Sequence, residues 1–159
     1  MKIKPLNDIE KSIEDYVVST CGLTYSVHYT GTHNQGNWDC DGWQFAIKGE
    51  TFDYFTGLGH REIVRGSKAV GLSSARCVRG KWEASQVIQP PIAGLLYSLI
   101  LDSDACNESF VAWCNSLGYD TDSRKALKIY EQCQQRFDKL SEVFTAAQIE
   151  HITGLLEGY

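Results

Sequence analysis

Residues 120–144 read DTDSRKALKIYEQCQQRFDKLSEVF. Ala126, Tyr130, Cys133, Phe137, Leu140 and Phe144 recur at intervals of four and three. Side chains three and four residues apart share one face of a helix, so this spacing predicts one long amphipathic helix. Arg124, Lys125, Glu131, Gln134, Gln135, Asp138 and Lys139 fill its other positions. Asp120 or Thr121 offers the N-cap oxygen, and Asp122 in the first turn suits the positive end of the dipole. Gly118 suits the residue that closes a preceding helix over 108–117. That shorter helix is expected to bury Phe110, Val111, Trp113, Cys114 and Leu117. Residues 108–144 thus predict a helix, a tight glycine turn and a longer helix.

Working outward, Thr145 and Gln148 form a capping-box pattern that opens a last helix over 146–156. On the other side, Pro91 suits the first residue of a helix. Ile92, Leu95, Leu96, Leu99 and Ile100 make it the most apolar helix in the chain, expected at the centre of the core. Asp102 to Asn107 is read as a connection. At the start of the chain, Asn7 or Asp8 caps a helix over 6–19 with Leu6, Ile9, Ile13, Tyr16 and Val17 on one face. Leu23, Tyr25, Val27 and Tyr29 alternate, as do Trp43, Phe45 and Ile47, and residues 51–56 follow a short turn. These predict three antiparallel strands joined as a meander. Residues 57–89 carry five glycines that break any period. There, 62–70 is read as a short helix, 73–80 as a loop and 82–88 as an extended piece. The expected fold class is α+β: a small antiparallel sheet of about three strands packed on a C-terminal helical half of about four helices. The expected domain is single, 1–159, made of helix and sheet (1–58), a glycine-rich basic region (57–89) and the helical half (90–159).

The run Phe110-x-x-Trp113-Cys114-x-x-x-Gly118-Tyr119-Asp120-x-Asp122-Ser123-Arg124-Lys125-Ala126, followed by Tyr130 and Cys133, resembles a pattern found in small proteins of tailed bacteriophages and prophages. Trp43-Gln44-Phe45, Thr56-Gly57-x-Gly59-His60-Arg61 and Pro91 to Asp102 look like parts of the same pattern, which would span roughly 38–137. The resemblance implies a phage accessory protein working inside a bacterial cell. It supplies no activity and no catalytic residue.

Composition narrows the classes. The 159-residue chain has a net charge of −5 and no apolar run near the length of a membrane span. The first sixteen residues lack a signal-peptide core, so a cytoplasmic location in the host cell is expected. Six cysteines are expected to be reduced thiols. Charge is unevenly placed: six basic residues against Glu62 give 61–81 a local +5, which leaves −10 for the remainder.

No constellation matches a catalytic or cofactor motif, and no catalytic residue, metal site or cofactor is expected. Asp39-Cys40-Asp41 with His28, His33 and His60 has ligand chemistry but no zinc spacing. Asp102-x-Asp104 with Asn107 and Glu108 lacks the glycine and glutamate of a calcium loop. Gly57-Leu-Gly59-His60-Arg61 lacks the Gly-Lys-Ser/Thr of a phosphate loop. The leading expectation is therefore a protein that binds a host or phage protein, in particular an inhibitor of a bacterial defence nucleoprotein complex of the anti-CRISPR kind. Its acidic candidates are Asp39, Asp41, Glu50 and Asp53, since basic nucleic-acid-holding surfaces attract acidic mimics. The alternative is direct nucleic-acid binding by Arg61, Arg65, Arg76, Arg79 and Lys81, with aromatic side chains stacking on bases. An enzyme with an unrecognised site is the third reading. The stripe over 126–144 covers under three heptads, so intramolecular packing is favoured over a dimer seam, and monomer and dimer both stay open.

Overall fold

The computed structural model describes residues 2–35, 38–56, 75–78, 81–84 and 88–159; for residues 2, 34, 35, 38, 39, 75–78 and 81–84 the backbone alone is described. The architecture is α+β. After a two-residue strand β1 (Lys2–Ile3), helix α1 (Asp8–Asp15) opens on Asn7. The Asn7 side chain accepts from the Glu10 N–H and the Glu10 carboxylate from the Asn7 N–H, a reciprocal cap that satisfies two otherwise unpaired donors. The helix continues as one wider π turn, Tyr16–Thr20, in which Cys21 N–H reaches the Tyr16 carbonyl at 2.9 Å.

Strands β2 (Tyr25–Gln35), β3 (Trp38–Ile47) and β4 (Glu50–Thr56) form the antiparallel meander. Strand β5 (Ala75–Val78), in a stretch expected to be a loop, pairs antiparallel with β6 (Lys81–Ala84). β6 joins β3 in parallel where Trp82 meets Trp38, making five strands in all. A last short strand, β7 (Ile88–Gln89), lies parallel to β1. The expected helix over 62–70 lies outside the described residues.

The helical half comprises α2 (Ile92–Leu101), the one-turn α3 (Asp104–Asn107), α4 (Phe110–Leu117), α5 (Arg124–Val143) and α6 (Ala146–Leu155). Pro91 stands at the N-cap of α2 in extended conformation, one residue before the first helical position expected for it. Thr145 and Gln148 form the expected capping box at α6. No helix among the described residues is long and apolar enough to cross a membrane.

The pleat puts Trp43, Phe45 and Ile47 of β3 and Phe52 and Tyr54 of β4 on one face, where they pack with α1, α2, the end of α5 and α6. As expected, α2 is the centre: Ile92, Ala93, Leu95, Leu96 and Leu99 are each at most 1% exposed. A second, smaller core holds Ala105, Trp113, Cys114, Ala126 and Cys133 between α3, α4 and α5. Val111 departs from expectation; it is 54% exposed, because α4 packs on α5 through its Trp113–Cys114 side.

Gly94 allows α2 to approach β4 closely. A Cβ there would stand 2.8 Å from the Tyr54 hydroxyl oxygen. Alanine usually stabilises a helix relative to glycine, yet Gly94→Ala must push a buried phenol aside and is expected to destabilise by about 1–3 kcal/mol. Gly154, in α6, has nothing within 4 Å of the same position. Gly154→Ala is therefore expected to stabilise by about 0.4–1 kcal/mol. Urea unfolding of both variants checks the pair, and a Gly94→Ala protein as stable as wild type would refute the close contact.

Burial raises the phenols of Tyr25, Tyr54 and Tyr159, with the charges of Glu14 beside Tyr25, and of Glu10 beside Tyr159, adding to it. A raised folded pKa gives stability that is complete below the unfolded value, about 10 for tyrosine, and lost as pH rises beyond it. Unfolding followed against pH should show the contribution of these tyrosines constant below pH ~10 and falling above it. Phenolate absorbance should show these tyrosines ionising later than the exposed ones.

Candidate partner-binding surfaces

The long sequence pattern around α4 and α5 resolves into local structural duties. Gly118 takes the left-handed conformation, φ 76°, that ends α4. Tyr119 N–H reaches back to the Cys114 carbonyl at 2.9 Å, which lays the Tyr119 ring against Trp113 with centroids 5.2 Å apart and planes 13° apart. The Asp120 carboxylate accepts from Asp122 N–H at 2.9 Å and so shapes the turn. The N-cap of α5 is consequently Ser123, whose hydroxyl accepts from Ala126 N–H, rather than Asp120 or Thr121. Asp122 lies before the helix and not in its first turn. Ala126 and Cys133 are buried, and the Tyr130 hydroxyl donates to the Glu108 carbonyl at 2.7 Å. Arg124 and Lys125 stay exposed.

The four acidic candidates do not converge. Asp39 stands opposite Asn34 in β3. Asp41 lies on the core face, 3% exposed, and accepts from the Tyr29 hydroxyl at 2.8 Å. Glu50 is opposite Ile47 at the other end of β3 and half-buried. Asp53 is exposed on the opposite face, in register with Gln44. Period-two alternation thus sends Asp41 inward and Asp53 outward.

Of the basic candidates, Arg76 sits opposite Glu83 in β5 and Lys81 opposite Val78 in β6. Arg61, Arg65 and Arg79 lie outside the described residues, as do the Gly57-to-Arg61 loop and its His60. His33 lies over Gly42 on the outer sheet face, with its Nε2 3.1 Å from the Thr30 hydroxyl and its ring edge-on to Phe55. Cys21, Cys40, Cys106, Cys114 and Cys133 are thiols. Among the described residues no group of three or more His, Cys, Asp or Glu is placed to hold a metal ion.

Two features escape sequence reasoning. Asp102, the C-cap of α2, is fully buried and ion-paired to Arg136 of α5 at 2.9 Å. Beside it a cavity of about 110 Å³ opens between α2, α3, α4 and α5, lined by Asp102, Asp104, Glu108, Trp113, Ser116 and Cys133 among others. Asp102, Asp104 and Glu108 were visible in the sequence as a failed calcium loop, but nothing there placed a tryptophan beneath them. Compared with protein families, with curated proteins and with solved structures, the chain finds no match. The molecule is thus defined by its α+β fold and by these surfaces.

The Asp41 pocket makes a pH-dependent prediction. Burial raises its carboxyl above the ordinary carboxylate value, partly offset by the bond from Tyr29, and among the described residues no donor reaches Oδ2. Its contribution is therefore most favourable when protonated at low pH and is lost as pH rises through the raised folded value. Asp41→Asn, which keeps the acceptor for Tyr29, should raise Tm at neutral pH, since a neutral amide is less costly to bury than a charge. The gain should vanish at pH below ~3.9, where both carboxyl states are protonated. A lower Tm for Asp41→Asn at neutral pH would contradict this account.

Proposed function

We propose that the chain is a phage accessory protein that acts by binding a protein partner, as an inhibitor of a bacterial defence complex of the anti-CRISPR kind, inside the host cell. The observation that carries this reading is the placement of charge. Outside 61–81 the chain bears −10, and Asp8, Asp15, Asp53, Asp138, Glu142 and Glu150 are all exposed on α1, β4, α5 and α6. Defence complexes that hold nucleic acid present basic grooves, and an acidic surface complements them and speeds encounter. The likeness of 110–126 to phage proteins supports the same origin. Among the acidic candidates whose side chains are described, Asp53 has an exposed carboxylate to offer a partner, Glu50 is half-buried and Asp41 serves the sheet.

The basic segment supports a second reading, nucleic-acid binding through Arg61, Arg65, Arg76, Arg79 and Lys81. Its signature would be an affinity that falls steeply with salt.

The test is expression in bacteria whose CRISPR system targets an infecting phage. The wild-type chain should restore plaque formation and co-purify with the defence complex after nuclease treatment. Asp53→Lys combined with Asp138→Lys and Glu142→Lys should abolish both while the purified variant keeps its Tm. Continued immunity across representative defence systems, with only nuclease-sensitive nucleic acid recovered, would replace this reading by the second.

A further inference from the structure

We infer that the outer edge of β2 is the contact by which two copies of this chain pair, antiparallel about a two-fold axis at Val27, joining their sheets into one. Among the described residues β3 is the one strand paired with β2, so the other edge of this eleven-residue strand offers backbone N–H and C=O groups to a further strand. Such edges are normally guarded by lysine, by other charges or by proline. From Thr24 to Trp38 there is no Lys, Arg, Asp, Glu or Pro. The contrast lies across β3, where β4 carries Glu50 and Asp53 and has its Thr51 carbonyl taken by the Lys139 ammonium. One guard is present on β2, the bulge between Tyr29 and Gly31, and it limits the pairing to the run in unbroken register before it, Tyr25–Tyr29.

The side chains of that run select the occupant. A two-fold axis at Val27 sets Val27 opposite its own counterpart, Tyr25 opposite Tyr29 and Ser26 opposite His28 of the second copy. Aromatic and β-branched side chains form favourable cross-strand pairs. Tyr25, Val27 and Tyr29 lie on the core face and are half-buried, packed on the main core from the β3 side. A strand added at the edge covers more of their apolar surface. Ser26 and His28 are exposed on the outer face. Like charges directly opposite one another oppose the pairing of a strand with itself, and with no Lys, Arg, Asp or Glu along the run that obstacle is absent. A strand built to draw in a basic partner would carry acidic residues, and this one carries none; a second copy supplies the neutral strand that matches it. The contact is isologous, as in the commonest class of oligomer.

Sedimentation equilibrium of the full-length chain over a concentration series should show monomer and dimer in exchange, and hydrogen exchange at the amides of 25–29 should slow as concentration rises. Ser26→Lys with His28→Lys sets lysine opposite lysine twice across the axis and should weaken dimerisation at least about tenfold. Ser26→Lys with His28→Glu sets opposite charges there and should restore it. Within the chain these positions stand opposite Ala46 and Gln44 on the exposed face, so both variants should keep the wild-type circular dichroism spectrum. A wild type that is monomeric at every concentration overturns the inference, as does a dimer that both variants weaken equally or that neither weakens. A monomer whose 25–29 amides are protected only when a protein partner is captured would give this edge to a strand of that partner and overturn self-pairing.

Discussion

The buried ion pair between Asp102 and Arg136 is the constraint on which the helical half is arranged. Asp102 ends the most apolar of the described helices, with its side chain wholly out of water, while the Arg136 side chain remains 26% exposed. A carboxylate so buried carries a large desolvation penalty that a well-placed cation offsets but rarely exceeds. The pair is therefore better understood as fixing register than as a source of stability. Arg136 stands on α5 between Cys133, which belongs to the smaller core, and Leu140, which belongs to the main one. At 1.5 Å per residue the twenty-residue α5 is roughly 30 Å long, and it supplies side chains to both cores. Rotating or sliding it would separate the guanidinium from Asp102 and strand a charge in the interior. The apolar cores supply the driving force, and the pair selects which of several helix registers they settle into.

Tyrosines perform a related service for the sheet and the first helix. The Tyr25 hydroxyl donates to Glu14, the Tyr159 hydroxyl to Glu10 at 3.1 Å, and the Tyr29 hydroxyl to Asp41. Each ring contributes buried apolar area while its hydroxyl finds an acceptor at the rim, the arrangement an amphipathic aromatic favours. Two of these bonds hold other parts of the chain to α1: β2 through Glu14, and Tyr159 through Glu10. At the far end of α5, Lys139 donates to the Thr51 carbonyl and lies 4.9 Å above the Phe52 ring, tying the long helix to β4. The sheet is thus fastened to the helices by polar tips around an apolar centre.

Where local periodicity decided the structure, the sequence was legible. The stripe from Ala126 to Phe144, the alternation through Trp43, Phe45 and Ile47, and the capping patterns at Asn7 and Thr145 all describe what forms. Where two local options competed, sequence reasoning chose the wrong one. Asp120 was an eligible cap for α5, but its carboxylate is occupied by the Asp122 amide, which leaves the role to Ser123. The strand Ala75–Val78 depends on pairing with Lys81–Ala84 and through it with Trp38, contacts that no local signal carries. The acidic candidates were chosen by charge type alone. Parity would have served better, because Asp41 shares its face with Trp43 and Phe45. The Asp102–Arg136 pair could not be read at all, since nothing in either residue's neighbourhood names the other.

The residues of the long pattern around α4 and α5, and of its upstream pieces, are spent largely on the fold. Trp113, Cys114 and Ala126 fill the smaller core, Gly118 supplies a backbone conformation, Asp120 shapes a turn and Ser123 caps a helix. Upstream, Trp43 and Phe45 are main-core residues, and the Trp43 indole donates to Thr56 at 3.2 Å. The segment from Pro91 to Asp102 is the central helix itself. Nearly every described position of the pattern is thus accounted for by packing, turn geometry or capping, which are demands of the fold and not of any partner. The charged residues that neither core uses are the exposed carboxylates of α1, α5 and α6, Arg124 and Lys125 at the start of α5, and Asp104 and Glu108 beside the small cavity. A pattern so nearly exhausted by folding specifies a scaffold, whose exposed charges are demanded by neither core.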